Sequence, residues 1–530
     1  MILRSHAPDV AIPDVALTGH VLGGAARYGD RVALVDAVTG ERIRYDELRA
    51  GVHAGARGLN RIGVGVGDVV ALVSHNQPRF AVALHAAIAA GATVTPVNPV
   101  LTSDEIVKQL TAAHARVLIT SEAAAEKAAA AAGEAGIRHV FVLGEHRGLR
   151  RFADLRASGG PDADTDAAPP PDIDPRTTVA VLPFSSGTTG LSKGVLLTHR
   201  NLVANLQQHA ALASVTRDDV LAAVPPFFHI YGFTMILNTG LLAGATVVTI
   251  PRFDLQQYLR VVQDHRVTRA YLAPPMVLAL ANAADVEEYD LSTLRLALCG
   301  AAPLDVDVTL RAERRLGCLI RQGYGMTEAS PGTHVTPDDE YATTPPGSIG
   351  RLLPNTEARL VDPGTGTDVP EGSAGELWVR GPQVMSGYLD GPEATALAIT
   401  DGWLHTGDLV RVSDDVYWVV DRLKEVIKYK GYQVAPAELE AVLMTHPQVT
   451  DAAVIGVPHL QGGEAPRGFV VSQGAIDPDA LMAFVAERVA PYKKVRSIEF
   501  VDSIPRSATG KILRRQLRRV ADAAVEAGPG

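Results

Sequence analysis

Apolar positions fall into two textures that alternate along most of the chain. "DVVALVSHN" is a near-continuous β-branched run of strand length, "PRFAVALHAAIAAG" is apolar over several helical turns, and "TVTPVNP" returns to the strand texture. "ARVLIT", the alanine-rich "EAAAEKAAAAAGEAG" and "HVFVLG" repeat the rhythm. It resumes with "DVLAAVPP", a helix-like segment from Gly232, "ATVVTIP", a helix from Asp254, "RAYLAPP" and "LRLALCG". Strands without polar alternation are buried on both faces, so this order predicts an α/β fold with parallel sheets.

From about Glu357 the texture turns to β, with "EARLVD", "GELWVRG" and "VYWVV". A charge-dense stretch, "DRLKEVIKYKG", follows. Beyond it come the helix "APAELEAVLMTH", the strands "VTDAAVIGV" and "GFVVSQ", the helix "PDALMAFVAERV" and a basic tail, which read as a small α+β unit. The predicted organisation is a large N-terminal domain of several subdomains over 1–421, a hinge at 422–424 and a small mobile domain over 425–530. "ASGGPDADTDAAPPPDIDP", Ala157–Pro175, reads as a surface loop or linker.

Composition narrows the classes. A formal charge of −10 argues against a broad nucleic-acid surface, though not against a local basic pocket. Two cysteines, Cys299 and Cys318, make no disulfide framework and point to a reducing compartment. No window reaches the ~18 apolar residues of a membrane span, and no signal peptide is legible. The expectation is a cytoplasmic protein.

The candidate chemistry begins at "SSGTTGLSKG", Ser185–Gly194, after the apolar run "VAVLPF". Small residues let backbone N–H groups approach phosphate oxygens, hydroxyls donate further hydrogen bonds, and a lysine supplies charge. A serine- and glycine-rich surface turn is the bland alternative. A P-loop does not fit: Ser192 precedes Lys193 where a glycine is needed, Gly194 follows it where a hydroxyl is needed, and "GVLLTH" continues as a strand. A hairpin-type loop over a triphosphate fits better.

Extended to "GVLLTHRNL", this loop resembles the phosphate loop of the adenylate-forming superfamily. "YGMTE" (Tyr324–Glu328), "GWLHTGD" (Gly402–Asp408), "DRLKEVIKYKGYQVAPAELE" (Asp421–Glu440) and "PRSATGKILRR" (Pro505–Arg515) follow in the family's order. "PFFHIYG" and "IKYKGYQVAPAELE" look most like 4-coumarate–CoA ligases and bacterial cinnamate ligases. The resemblance implies an AMP-forming acid–thiol ligase. A carboxylate attacks the α-phosphate of ATP with Mg²⁺ present, and CoA then displaces AMP from the acyl-adenylate.

By that resemblance Ser185, Ser186, Gly187, Thr188, Thr189 and Lys193 hold the β- and γ-phosphates, and Glu328 holds Mg²⁺. Gln322, Gly323, Tyr324 and Thr327 line the adenine and α-phosphate. Asp408 and Arg422 meet the ribose. Lys511 enters between carboxylate and α-phosphate. Lys428 and Gln433 serve the thioester half, with Gln433 and the hinge residue Lys424 also placed beside the nucleotide. Lys430, Gly431 and Arg252 contact CoA. His229 borders the acyl group and the CoA tunnel, as a positioning or acid–base group. The same resemblance maps an aryl slot onto Tyr231, Met235, Gly300, Ala301, Gly323, Gly325, Pro331 and Gly332. Gly332 stands where plant coumarate ligases carry valine, which widens the far end.

The partners expected are a small carboxylic acid, ATP and CoA, with no nucleic acid, no membrane span, and a monomer or homodimer. A hydroxycinnamate is the first choice of acid. A medium- or long-chain fatty acid, in an apolar tunnel, is the nearest alternative. A luciferase-like oxygenase and a carrier-loading adenylating enzyme also stay open, although Lys428 and its neighbours favour thioester formation.

Overall fold

The computed structural model describes residues 1–157, 172–185, 193–370, 372–429, 432–458, 464–507 and 510–526. The run Ala157–Pro175 lies mostly outside them, as do Ser186, Gly187, Thr188, Thr189, Lys430 and Gly431.

The first texture folds as read. Val69–Val73 pairs in parallel with Thr93–Val97 on one side and Ala115–Thr120 on the other, and His139–Val142 extends the sheet. Pro78–Ala89 crosses between the first two strands. Proline begins it, where no N–H is needed, and it is buried around nearly its whole circumference, which its apolar sequence permits. The crossing helix Ser103–Ala112 starts on a reciprocal cap, Thr102 accepting from Glu105 N while the Glu105 side chain accepts from Thr102 N. At the far edge Val179–Val181 joins Thr93–Val97, and Lys193–Thr198 returns antiparallel beside it.

A second sheet positions the site. Four neighbouring strands, Val220–Ala223, Arg269–Leu272, Leu296–Cys299 and Leu319–Gln322, run parallel and in register, with Leu272 opposite Cys299 and Cys299 opposite Gln322. Their carboxyl ends lead into Pro225–His229, Ala273–Pro275, Gly300–Ala301 and Gly323–Tyr324. Ligands of open α/β sheets bind outside this edge. Both cysteines are free and buried, and burial pushes the Cys318 thiol up to about 12. They are packing.

The β texture after Glu357 forms a third, antiparallel sheet in which Trp403–Ser413 pairs with Val416–Arg422. Beyond it, Val449–Pro458, Glu464–Ser472 and Ser497–Phe500 make a separate sheet with apolar clusters on both faces. Leu439, Val454, Val470 and Leu481 form one, and Ile455, Phe469, Ile504 and Leu517 the other. Leu517 belongs to the helix Arg514–Glu526, so the expected basic tail is instead a helix that closes the second cluster. Its arginines concealed the few apolar positions that carry the packing.

The segment expected as a helix from Gly232 begins at Tyr231 and is π-helical through Asn238. Side chains stabilise the wider turn: Thr239 Oγ1 donates to Thr234 O at 2.9 Å and Asn238 Nδ2 to Phe233 O at 2.8 Å. Such turns cluster at functional sites. Among the described residues no helix is long and apolar enough to cross a membrane.

Candidate active site

The flanks of the glycine- and serine-rich loop form a short hairpin, with Phe184 opposite Gly194 and Ser185 opposite Lys193. The Lys193 ammonium lies 4.8 Å from the centre of the Tyr388 ring. The Tyr388 hydroxyl donates to Glu328 Oε1 at 2.9 Å, and Glu328 is buried. Tyr388 was not singled out from the sequence. It follows a glycine in "MSGYLD", and nothing in its spacing marks it.

Across the cleft, Tyr324 donates its hydroxyl to Asp408 Oδ2 at 2.5 Å, and Arg422 Nε donates to Asp408 Oδ1 at 2.9 Å. The sheet sets this pair, because Asp408 and Arg422 face each other in strand register. Burial and Asp408 together push the Tyr324 phenol well above its usual range, so it remains a donor. Gln322, expected beside adenine, spends its amide on the neighbouring loop: Oε1 accepts from Leu304 N at 3.0 Å, and Nε2 reaches Leu304 O at 3.5 Å. It braces the loop that carries Gly300 and Ala301. Thr327 opens the one-turn helix Thr327–Ala329 that contains Glu328.

Lys511 comes to this site from the C-terminal part of the chain. Its loop closes on itself: Ser507 N donates to Lys511 O at 2.8 Å and Lys511 N to Ser507 Oγ at 3.1 Å. Arg506 fixes the loop, donating to Gly510 O at 2.9 Å and pairing with Asp451 at 2.6 Å. Gly510 has φ +83, and a Cβ built on it would stand 2.8 Å from Pro275 Cδ, so glycine permits this close approach to the body. Burial, and then the nearby Arg422, push the Lys511 ammonium below the ordinary lysine value, while Asp408, Glu328 and Glu425 pull it back up. The cation therefore sits among the very groups that the motifs had singled out separately.

His229 completes this wall. Its Nδ1 accepts from Tyr231 N at 3.2 Å, which leaves the proton of the neutral ring on Nε2. Burial, with Lys511 adding to it, pushes the imidazole down to about 3. A base that weak is suited to positioning rather than to proton abstraction near neutral pH.

The slot residues gather beside it. Tyr231 and Met235 are buried on the π-helical turn, and the Tyr231 hydroxyl donates to Leu298 O at 3.1 Å. Ala301 has φ +78, a left-handed backbone that a Cβ makes costly, in the loop after the strand Leu296–Cys299. The four slot glycines differ. A Cβ at Gly325 would fall 2.0 Å from Pro331 O, so Gly325 serves chain packing. At Gly323 it would be tight, 3.2 Å from Leu298 Cδ1. At Gly300 and Gly332 it would make only ordinary contact, 3.4 Å from Tyr231 Cζ and from Leu353 Cδ1 respectively. Asn205, also unmarked in the sequence, clamps Gly332 on both sides: Gly332 N donates to Oδ1 at 3.0 Å, and Nδ2 donates to Gly332 O at 2.8 Å.

Other expected residues stand apart. Lys428 is exposed on a hairpin, opposite Gln433, its backbone N donating to Glu464 at 3.0 Å. Lys424 is exposed in the turn before it. Arg252 is exposed and makes no hydrogen bond or ion pair among the described residues. Arg514, three residues past Lys511, pairs with Glu425 at 2.7 Å and Glu440 at 2.6 Å beside the buried Asp421. Among the described residues, no cluster of three or more His, Cys, Asp or Glu side chains is placed to hold a metal. A cation here would take Glu328 as its protein carboxylate and fill its shell with phosphate oxygens and water, which is the binding habit of Mg²⁺.

A parallel-sheet body whose strand ends meet a lysine delivered from a C-terminal lobe is the arrangement of the adenylate-forming enzymes. The chain belongs to the AMP-binding enzyme family: that family's model matches residues 23–389, and the model of the AMP-binding enzyme C-terminal domain matches 438–511. It is similar to 4-coumarate–CoA ligase 3 of Oryza sativa subsp. japonica, 41% identical over 98% of this chain and 94% of that one. It is also similar to 4-coumarate–CoA ligase 2 of Petroselinum crispum, 39% identical over 98% and 96%. The anthranilate CoA ligase AuaEII in complex with anthranoyl-AMP superposes with a TM-score of 0.88 at 25% identity, covering 98% of this chain and 99% of that one. ATP-bound MatB from Rhodopseudomonas palustris gives 0.85 at 29%, covering 96% and 99%.

Proposed function

We propose that this protein is an ATP-dependent, AMP-forming ligase that joins a hydroxycinnamate-type acid to CoA through an acyl-adenylate. The observation that carries the reading is the position of Lys511 among Asp408, Glu328, Arg422 and His229. Two anions, a carboxylate and a polyphosphate, must approach for adenylation, and a cation fixed between them offsets their repulsion.

In the first half-reaction Asp408 accepts from the ribose hydroxyls, and Tyr324 and Arg422 keep that carboxylate oriented. Lys193 and the loop beyond Ser185 take the β- and γ-phosphates. Glu328 holds Mg²⁺, which when bound neutralises charge on the triphosphate. A carboxylate oxygen of the acid attacks the α-phosphorus, and pyrophosphate leaves with the electron pair of the broken P–O bond. Lys511 stabilises charge at the α-phosphate, and His229 orients the acyl group as a neutral ring. In the second half-reaction the CoA sulfur attacks the acyl carbon and AMP leaves. Lys428, exposed on its hairpin, serves that step after the C-terminal lobe turns about 422–424, with Gln433, Lys430, Gly431 and Arg252 toward the nucleotide and CoA. The domains accordingly divide at 1–421 and 425–530. A flat aryl slot opened at Gly300 and Gly332 suits a cinnamate better than a flexible chain. The cytoplasm is the proposed compartment, and a monomer or homodimer the proposed state.

The test is a competition. The purified protein receives ATP, Mg²⁺ and CoA with 4-coumarate, cinnamate, ferulate, benzoate and dodecanoate together, and the thioesters are read by mass. A coumaroyl or cinnamoyl product in clear excess supports the reading. Mainly dodecanoyl-CoA would overturn the slot, and adenylates without thioesters would overturn CoA as the acceptor.

A further inference from the structure

One short segment ties the two halves of the phosphate site together. Met385 N donates to Glu328 O at 2.8 Å, and the Tyr388 hydroxyl donates to Glu328 Oε1 at 2.9 Å. The same segment is hydrogen-bonded to the strand that leaves the glycine- and serine-rich loop. Ser386 N donates to Leu196 O at 3.0 Å, Leu389 N donates to Gly194 O at 2.8 Å, and Tyr388 faces Val195 in antiparallel register. The Tyr388 ring covers the Lys193 ammonium at 4.8 Å. A single side chain therefore touches both the carboxylate and the cation.

Local structure fixes it there. A Cβ on Gly387 would stand 2.9 Å from Thr395 Cγ2, so glycine lets this strand press onto the helix Pro392–Ala398. Thr395 Oγ1 then accepts from Tyr388 N at 2.9 Å. The Tyr388 hydroxyl is thereby held in line to donate to Glu328 Oε1. Among the described residues neither Lys193 nor Glu328 makes an ion pair. Opposite charges in a part-buried cleft attract strongly and would close on each other if nothing stood between them. Tyr388 engages each of them separately, the glutamate through its hydroxyl and the lysine through its ring.

We propose that Tyr388 is a positioning residue for the adenylation half-reaction. Its hydroxyl fixes Glu328 so that the other carboxylate oxygen faces the metal–triphosphate. Its ring holds Lys193 by a cation–π contact until phosphate replaces it, and keeps lysine and glutamate from neutralising each other. This rests on the reading of Glu328 as metal holder and Lys193 as phosphate ligand.

The full chain is compared with Tyr388→Phe and Tyr388→Leu. Metal affinity is read by electron paramagnetic resonance of Mn²⁺ with a non-hydrolysable ATP analogue, alongside Mg²⁺ activation of pyrophosphate release. Tyr388→Phe keeps the ring and loses the hydroxyl. It is expected to weaken Mn²⁺ affinity and raise the Mg²⁺ requirement by about tenfold, the scale of one hydrogen bond to a charged group. Tyr388→Leu should also raise the KM for ATP, because the lysine loses its cover. Thioester formation from presynthesised acyl-adenylate uses no metal–triphosphate and should be spared. Tyr388→Phe with wild-type metal affinity, or an equal loss in both half-reactions, overturns the proposal. Glu328→Gln in the same titration separates the two readings. If it too leaves Mn²⁺ affinity unchanged, the metal assignment fails, and the proposal with it. If it weakens binding and Tyr388→Phe does not, only the tyrosine's role fails.

Discussion

Lys511 lies close enough to His229 to depress the imidazole's hold on a proton, adding to the burial that brings it down to about 3. The ring is then neutral throughout the working range, and its contribution is geometric. In His229→Asn, the side-chain oxygen replaces Nδ1 as acceptor for Tyr231 N. The pH profile of adenylation between pH 6 and 9 should have the same shape in this variant and in the wild type. An inflection near neutrality that His229→Asn removes would make the imidazole a titrating base instead.

Lys511 sits in the site and Lys428 does not, so their losses should separate. Lys511→Ala is expected to lower adenylate formation by about 10²–10³, the scale of one removed electrostatic donor, and to leave thioester formation from supplied acyl-adenylate nearly intact. Lys428→Ala should do the reverse and accumulate adenylate. Rapid-quench measurement of each half-reaction decides it. Parallel losses would refute the division of labour between two orientations of the lobe.

The slot glycines divide into two kinds. Gly325→Ala forces a methyl within 2.0 Å of Pro331 O and should cost stability, on the order of 1–3 kcal/mol, with activity lost on every acid. Gly300→Ala and Gly332→Ala meet only ordinary contacts, so their melting temperatures should stay near wild type while the ratio of kcat/KM for ferulate to that for cinnamate falls. An unchanged ratio in both would place the ring of the substrate elsewhere.

Asp421 supplies a pH test of stability. Burial raises its carboxyl from 3.8 to about 7, against the Arg422 N–H and Arg514. The folded chain holds this proton more tightly than the unfolded chain, so from about pH 4 to pH 7 the group costs more stability as pH rises, and above that the cost is constant. Asp421→Asn keeps an acceptor for Arg422 N, 2.7 Å away in the native chain, and carries no charge. Its melting temperature should exceed the wild type's at pH 8, with the gap closing towards pH 4. A gap independent of pH would show that Asp421 does not titrate there.

The strands of the parallel sheets were legible because burial on both faces forces continuous apolar runs, as in "DVVALV" and "RAYL". Their carboxyl ends, and with them the neighbourhood of His229, Gly300 and Gly323, followed from that. Motif order singled out Lys193, Glu328, Asp408, Arg422 and Lys511 by residue type and local spacing, and the fold brings Lys511 to Asp408, Arg422 and Glu328. Tyr388, Asn205 and Pro275 were not legible. Each acts through a contact across a long stretch of sequence, and a tyrosine, an asparagine or a proline in a loop has many commoner uses. The π-helical turn was read as a plain helix for a related reason. One extra residue per turn barely alters the apolar pattern, and the Thr239 and Asn238 side chains, which bond carbonyls five residues back, are of types common enough in ordinary helices to give no signal.

The clamp of Asn205 on Gly332 has a consequence for how such an enzyme changes its diet. Both backbone groups of Gly332 are held by a side chain from the helix His199–Ala210, and a Cβ at 332 would stand 3.5 Å from that same amide and 3.4 Å from Leu353 Cδ1. A methyl fits there, and a larger side chain would press on the clamp and on Leu353, so residue 332 and the side chains that hold it do not vary independently. Lineages, or laboratory libraries, that enlarge residue 332 would have to change position 205 or 353 with it, a coupled step that leaves the phosphate-handling side chains untouched.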